Sequence, residues 1–230
     1  MFEVRDNLQI ELVPDDILIG QGIDPAKASA LLNRTAAEIL DEANSLLKPA
    51  ALYGTLPVTD FQHEEITFAG GTFSGSLVAR AFAGASKLTL ALCTIGSELE
   101  ERTAELMNAD MIHGIALDGA GTAAVGKLSR MIKEEIVYNA EKNGFKAGMK
   151  ANPGQEGWPI WQQQTFFSLV PAEKIGVTLN KSCLMIPRKS VSFVIGYGER
   201  MCAESVPCDF CSKREECQWR SGSAGKILEA

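Results

Sequence analysis

FKAGMKANPGQEGWPIWQQQTFFSLVPAEKIGVTLNKSCLMIPRKSVSFVIGYG, residues 145–198, is the stretch on which the fold turns. It sets Asn152-Pro153-Gly154 as a turn, puts Trp158-Pro159 at the head of an amide-rich helix, and continues with two extended runs, Cys183 to Pro187 and Ser190 to Gly198. Residues that fix or free the backbone stand beside polar side chains of the kind that face solvent, which is the composition of a ligand-cradling loop.

Upstream of this stretch, helices and strands do not alternate as βαβ units. Leu8, Ile10 and Leu12 alternate with Gln9 and Glu11, which predicts a half-buried strand over 8–13. Asp24-Pro25 predicts a helix start, with the apolar stripe running to Leu47 and the end near Lys48, before Pro49. Residues 50–73 read as short strands and turns, with Gly70-Gly71 as a bend, followed by a short helix over Ser76 to Ala83 and a strand over Lys87 to Thr94. Ser97 and Glu100 have capping-box spacing and predict a helix from about Glu98 to Met107. A longer helix is predicted from about Met111 to Asn143, closed by Gly144. Hairpin-like pairs among long helices predict an α+β fold with largely antiparallel pairing.

Composition bounds the function classes. A chain of 230 residues, 46% hydrophobic and 22% charged, buries a sizeable core. The net charge of −7 argues against general nucleic-acid binding, which needs a basic face to release counterions. The N-terminus carries Glu3, Arg5 and Asp6, unlike a signal peptide, and no apolar run has the length of a membrane span. Six cysteines are too few for a disulfide scaffold, so a cytoplasmic location is expected, with one domain over 1–198 and a cysteine-rich tail over 199–230.

That tail places Cys202, Cys208, Cys211 and Cys217 at C-x5-C-x2-C-x5-C spacing. Four thiolates so close in sequence suit one tetrahedral zinc or one iron–sulfur cluster; free or disulfide-paired cysteines are the alternative. Cys93 and Cys183, inside apolar runs, read as buried small hydrophobes. His63 and His113 have no third partner, and no G-x-S-x-G elbow is present. The long helix carries Gly114, Gly119, Gly121 and Gly126, each costing about 1 kcal/mol of helix propensity. Close packing against another backbone is one reason for them, and a ligand lying against the helix is the other. Asp118 and Glu134 are sixteen residues apart on this helix, so they form no simple paired-carboxylate dyad unless the helix breaks near Gly119 or Gly121, and they read as a solvated face.

Taken together, Lys150-Ala-Asn-Pro-Gly-Gln155, Trp158-Pro159, Gly176-Val-Thr-Leu-Asn-Lys-Ser182 and Met185-Ile-Pro187 with Ser190 and Ser192 resemble the activation domain of cobalamin-dependent methionine synthase. That family's signature is an Arg-x-x-Pro-Gly-Tyr turn, a Gly-x-x-Leu-x-x-Ser segment and a Met-x-Pro-x-x-Ser-x-Ser strand. The resemblance is specific from about Thr94 to Gly198 and does not extend to the cysteine tail. It implies a C-shaped α+β domain, a twisted antiparallel sheet with flanking helices, that binds S-adenosylmethionine and presents it to a corrinoid. There, reduced cobalt takes the methyl group, so the domain's work is positioning, without a catalytic base.

Carried over by position, the resemblance implies a binding set of Glu134, Lys150, Asn152, Pro153, Gly154 and Gln155. Lys150 stands where the family has arginine, keeping the charge without the bidentate fork, and Gln155 stands where it has tyrosine. The function implied is an accessory protein for corrinoid-dependent methyl transfer. It would act in trans on a corrinoid-binding protein or methyltransferase, with the tail delivering an electron from an iron–sulfur cluster. The alternatives are an interaction or scaffold module with structural zinc, and an electron-transfer protein whose function lies in the tail.

Overall fold

The structure, a computed structural model, describes residues 1–199, 201 and 211–213. In chain order the elements are β1 (Phe2–Arg5), α1 (Pro14–Gly20), α2 (Ala30–Leu46), β2 (Ala50–Gln62), β3 (Glu65–Phe68), β4 (Gly71–Ser74), α3 (Ser76–Phe82), β5 (Lys87–Thr94), α4 (Glu98–Ala109), α5 (Met111–Lys142), β6 (Lys146–Ala151), α6 (Gln163–Leu169), β7 (Thr178–Leu179), β8 (Met185–Ile186) and β9 (Ser190–Gly198). The main sheet has the order β4-β3-β2-β5-β9-β6, with β1 also on β2, and every pairing is antiparallel. β7 and β8 form a separate two-stranded ribbon. The fold is therefore α+β, an antiparallel sheet with flanking helices.

Both sheet faces are covered, which explains why β5 reads as an almost unbroken apolar run. On one face Ala51, Ala91, Cys93, Phe193 and Ile195 pack under α1, α2 and α5. On the other, Leu52, Leu90, Leu92 and Val194 meet Phe73, Phe82, Trp158 and Phe166. The crossing of α1 over α5 needs two glycines: a Cβ on Gly20 would overlap the Gly119 carbonyl, and one on Gly119 would lie 2.9 Å from the Ile17 carbonyl oxygen. Close backbone packing thus accounts for Gly119, and likewise for Gly114, whose Cβ would lie 2.9 Å from the Met107 backbone nitrogen.

Several sequence expectations are corrected. Residues 8–13 form no strand; the Asn44 carboxamide pairs with Leu12 as a neighbouring strand would, accepting from its N–H at 2.9 Å and donating to its carbonyl at 3.2 Å. The helix expected from Asp24-Pro25 is a single 3-10 turn over Pro25–Lys27, and Ser29 caps α2 instead, accepting from the Leu32 N–H at 3.3 Å. Helix α1 follows Val13, with Pro14 in the first turn and Asp16 accepting from the Val13 N–H at 2.8 Å. Ser97 makes no side-chain cap bond, so α4 forms without the capping box, held by buried Leu99, Thr103 and Leu106. The amide-rich helix begins as a 3-10 turn over Ile160–Gln162 before α6, and the run from Cys183 to Pro187 is extended only over β8.

Of the tail, Cys202, Cys208 and Cys217 lie outside the described residues. Among the described residues no three His, Cys, Asp or Glu side chains stand together as a metal site, and no helix is long and apolar enough to cross a membrane.

Candidate functional site

Strand β6 lies at the edge of the sheet and runs into the turn at 152–157. A register irregularity between Ala147 and Lys150 interrupts its pairing with β9. The Lys150 ammonium points at the α5 face of the sheet: Nζ donates to the Ser129 hydroxyl at 2.8 Å and lies 4.6 Å from the centre of the Phe193 ring. No carboxylate pairs with it among the described residues. Burial, the larger cause, and repulsion from Lys133 and Arg130 together push its pKa down to about 8. The nearby Cys93 thiol is pushed up to about 12 by burial. Arg130 and Lys133, one helical turn apart on α5, also make no ion pair among the described residues, so three cations meet where β6 passes α5.

Three cations without an ion-paired carboxylate among the described residues raise the local positive potential, which favours an anion there. The arrangement also gives a pH prediction. The folded chain releases the Lys150 proton near pH 8 while the unfolded chain holds it until about 10.5. Stability from this group therefore rises over that window, is fully present above it, and is lost as pH falls through 8. Cys93 works in the opposite direction between 9 and 12, because the folded state keeps its proton. Measured by urea unfolding against Lys150→Met, which subtracts the shared thiol, the wild-type chain is expected to gain up to about 3 kcal/mol between pH 8 and 10.5.

The adjoining turn is held almost wholly by its own residues. Gln155 closes it, its side-chain oxygen accepting from the Asn152 N–H at 2.8 Å and its N–H donating to the Asn152 carbonyl at 3.2 Å. Asn152 donates its carboxamide to the Ser192 carbonyl at 2.5 Å, tying the turn to β9. Pro153 is buried, and Gly154, at φ +97°, takes the left-handed conformation the bend requires. Beneath it Trp158 is buried between Phe73 and Phe82, with ring centroids at 5.0 and 5.5 Å. The Trp158 indole N–H donates to Gln162 at 3.1 Å, and Gln162 bonds both backbone groups of Ser74. An open cleft of about 440 Å³ lies beside the turn, with Gly154, Gln155, Pro159 and Ile160 in its walls.

The structure thus brings Lys150, Asn152, Pro153, Gly154 and Gln155 into one continuous segment. It forms no ion pair between Glu134 and Lys150: Glu134 is exposed, one helical turn beyond Arg130 on α5. Its neighbour Glu135 is spent on the Tyr53 hydroxyl and Arg5, at 2.9 and 3.1 Å. Asp118 pairs with Lys189 at 2.9 Å. Ser129, Arg130 and Lys133 were not singled out from sequence; the i, i+3 cation pair on one helix face was the available signal. Gly126 is the interior glycine that packing does not explain, since nothing lies within 4 Å of where its Cβ would be. Its carbonyl accepts from the Ser129 hydroxyl at 3.2 Å, the same hydroxyl that receives the Lys150 ammonium.

No protein-family model matches the chain, and no curated protein matches it. Among solved structures, the MetH reactivation domain bound to AdoHcy matches with a TM-score of 0.57 and 14% identity, over 84% of this chain and 78% of that one. At that identity the likeness is one of fold.

Proposed function

We propose that this protein binds S-adenosylmethionine at the Lys150 corner and presents it for reactivation of a corrinoid partner. The observation that carries the reading is the half-buried Lys150 ammonium, without a carboxylate partner among the described residues, one residue from the turn that resembles the family's binding loop. An amino-acid carboxylate is the anion that fits: the ammonium has three donors and spends one on Ser129, while Arg130 and Lys133 add field without competing for it. Gly126 leaves α5 bare one turn before Ser129, since nothing lies within 4 Å of where its Cβ would be. That the solved neighbour of this fold holds AdoHcy is consistent with the reading.

S-adenosylmethionine supplies an electrophilic methyl group on its sulfonium, and the corrinoid cobalt is its acceptor. The residues of this chain anchor the carboxylate and hold the loop; none acts as a base. The four-cysteine tail, Cys202, Cys208, Cys211 and Cys217, enters as the holder of an iron–sulfur cluster or zinc, a role resting on spacing alone. The test is spectroscopic. Added with S-adenosylmethionine and a one-electron reductant to a cobalamin-binding module in the Co(II) state, the chain is expected to bring up the methylcobalamin spectrum. A Co(II) spectrum unchanged relative to the mixture lacking the chain would refute the assignment.

A further inference from the structure

A second cleft, of about 330 Å³, opens on the same sheet face at the far end of α5. Ser129 and Asn139 are ten residues apart on that helix, roughly 15 Å, so the cleft is separate from the Lys150 corner. Its floor is polar, which is unusual for a sheet face under a helix. Tyr197 donates its hydroxyl to Thr55 at 3.1 Å, and the Thr55 and Thr89 hydroxyls share one bond at 2.9 Å. Three hydroxyl hydrogens serve two bonds, so among the described residues one is left over for an acceptor in the cleft.

The mouth carries the Lys87 ammonium, 4.7 Å from the centre of the Phe145 ring and 6.0 Å from that of Tyr197, with no carboxylate paired to it among the described residues. At the rim Asn143 spends one side-chain N–H on the Asn139 carbonyl at 2.6 Å, which leaves its other N–H, its oxygen and the Asn139 carboxamide to the cleft. Ile136, Ala140 and the Phe145 ring make the remaining wall apolar. The phenol of Tyr53, at the opposite end, is committed to Glu135 at 2.9 Å, and Glu135 in turn pairs with Arg5 at 3.1 Å, so Lys87 carries the charge that lines the cleft without an ion-pair partner among the described residues.

We infer that this cleft is a binding site for a small planar carboxylate, its ring against Ile136, Ala140 and Phe145 and its carboxylate between Lys87 and the spare hydroxyl hydrogen of the Thr55–Thr89 pair. A single lining cation matches a monoanion, and a phosphate dianion would find only that one charge to neutralise it. The cation–π contacts hold Lys87 at the mouth before the ligand arrives, which lowers the cost of ordering it.

The experiment titrates benzoate, benzamide and phenyl phosphate into the ¹⁵N-labelled full chain and follows amide shifts. Benzoate is expected to move Thr55, Thr89, Asn139 and Asn143, to bind about tenfold or more tighter than benzamide, and to bind more tightly than phenyl phosphate. Lys87→Met should lose benzoate by a similar factor, and Lys87→Arg should keep it. The benzoate-to-benzamide ratio is read on the wild-type chain and needs no variant. Equal binding of benzoate and benzamide, tighter binding of phenyl phosphate, shifts centred on Ser129 and Lys150, or no shifts at millimolar benzoate would each overturn the assignment.

Discussion

Replacing Trp158 with alanine is expected to cost about 3–5 kcal/mol of stability, a large share of the roughly 5–15 kcal/mol typical of a folded domain. The indole is 1% exposed and is the largest side chain buried on its face of the sheet. It sits edge-on to both Phe73 and Phe82, contacts each worth about 0.5–1.5 kcal/mol beyond the area they bury. Its N–H also holds the Gln162 oxygen that receives the Ser74 N–H, so truncation loosens a buried polar link between β4 and the start of α6. Trp158→Phe keeps most of the ring volume and should lose about half as much. Urea midpoints for the two variants check the ranking. Because the Trp158 carbonyl accepts from the Gly154 N–H at 2.8 Å, the alanine variant should also lose amide protection at Gly154 before the sheet opens.

Much of this fold was legible because its central elements obey local rules. β5 and β9 are long apolar runs covered on both faces, and their bounds match the sequence expectation. α5 ends where Gly144 says it should, one residue earlier than expected. The misreadings came from tertiary substitutes for local signals. The Asn44 carboxamide stands in for a strand beside Leu12, and no pattern within 8–13 could reveal it. α1 is seven residues long, too short for a helical period to show.

The candidate site divides in the same way. Asn152, Pro153 and Gly154 declare the turn in sequence, and the Gln155 side chain proves to be its clasp where a tyrosine was the family's choice. Lys150 was legible as a charge. Its meeting with Ser129, Arg130 and Lys133 depends on how β6 passes α5, which spacing does not encode. Glu134, placed by position along the same helix, is exposed and makes no ion pair among the described residues.

The second large effect concerns Lys150 itself. If Lys150 anchors the ligand carboxylate as proposed, it is expected to account for about 100-fold or more of the affinity for S-adenosylmethionine, the range found when one member of a buried charge pair is removed. The fold should tolerate Lys150→Met at neutral pH, since the change removes a desolvated cation that Arg130 and Lys133 repel and keeps an unbranched chain against Phe193. Lys150→Arg should retain binding, because it keeps the charge and adds a bidentate fork suited to a carboxylate. Titration calorimetry of S-adenosylmethionine into the wild-type chain and these two variants tests the claim most directly. The account predicts one-to-one binding to wild type and Lys150→Arg, with a loss of about 100-fold for a folded Lys150→Met. Absence of heat from the wild-type chain at millimolar ligand, or a Lys150→Met titration indistinguishable from wild type, would contradict it.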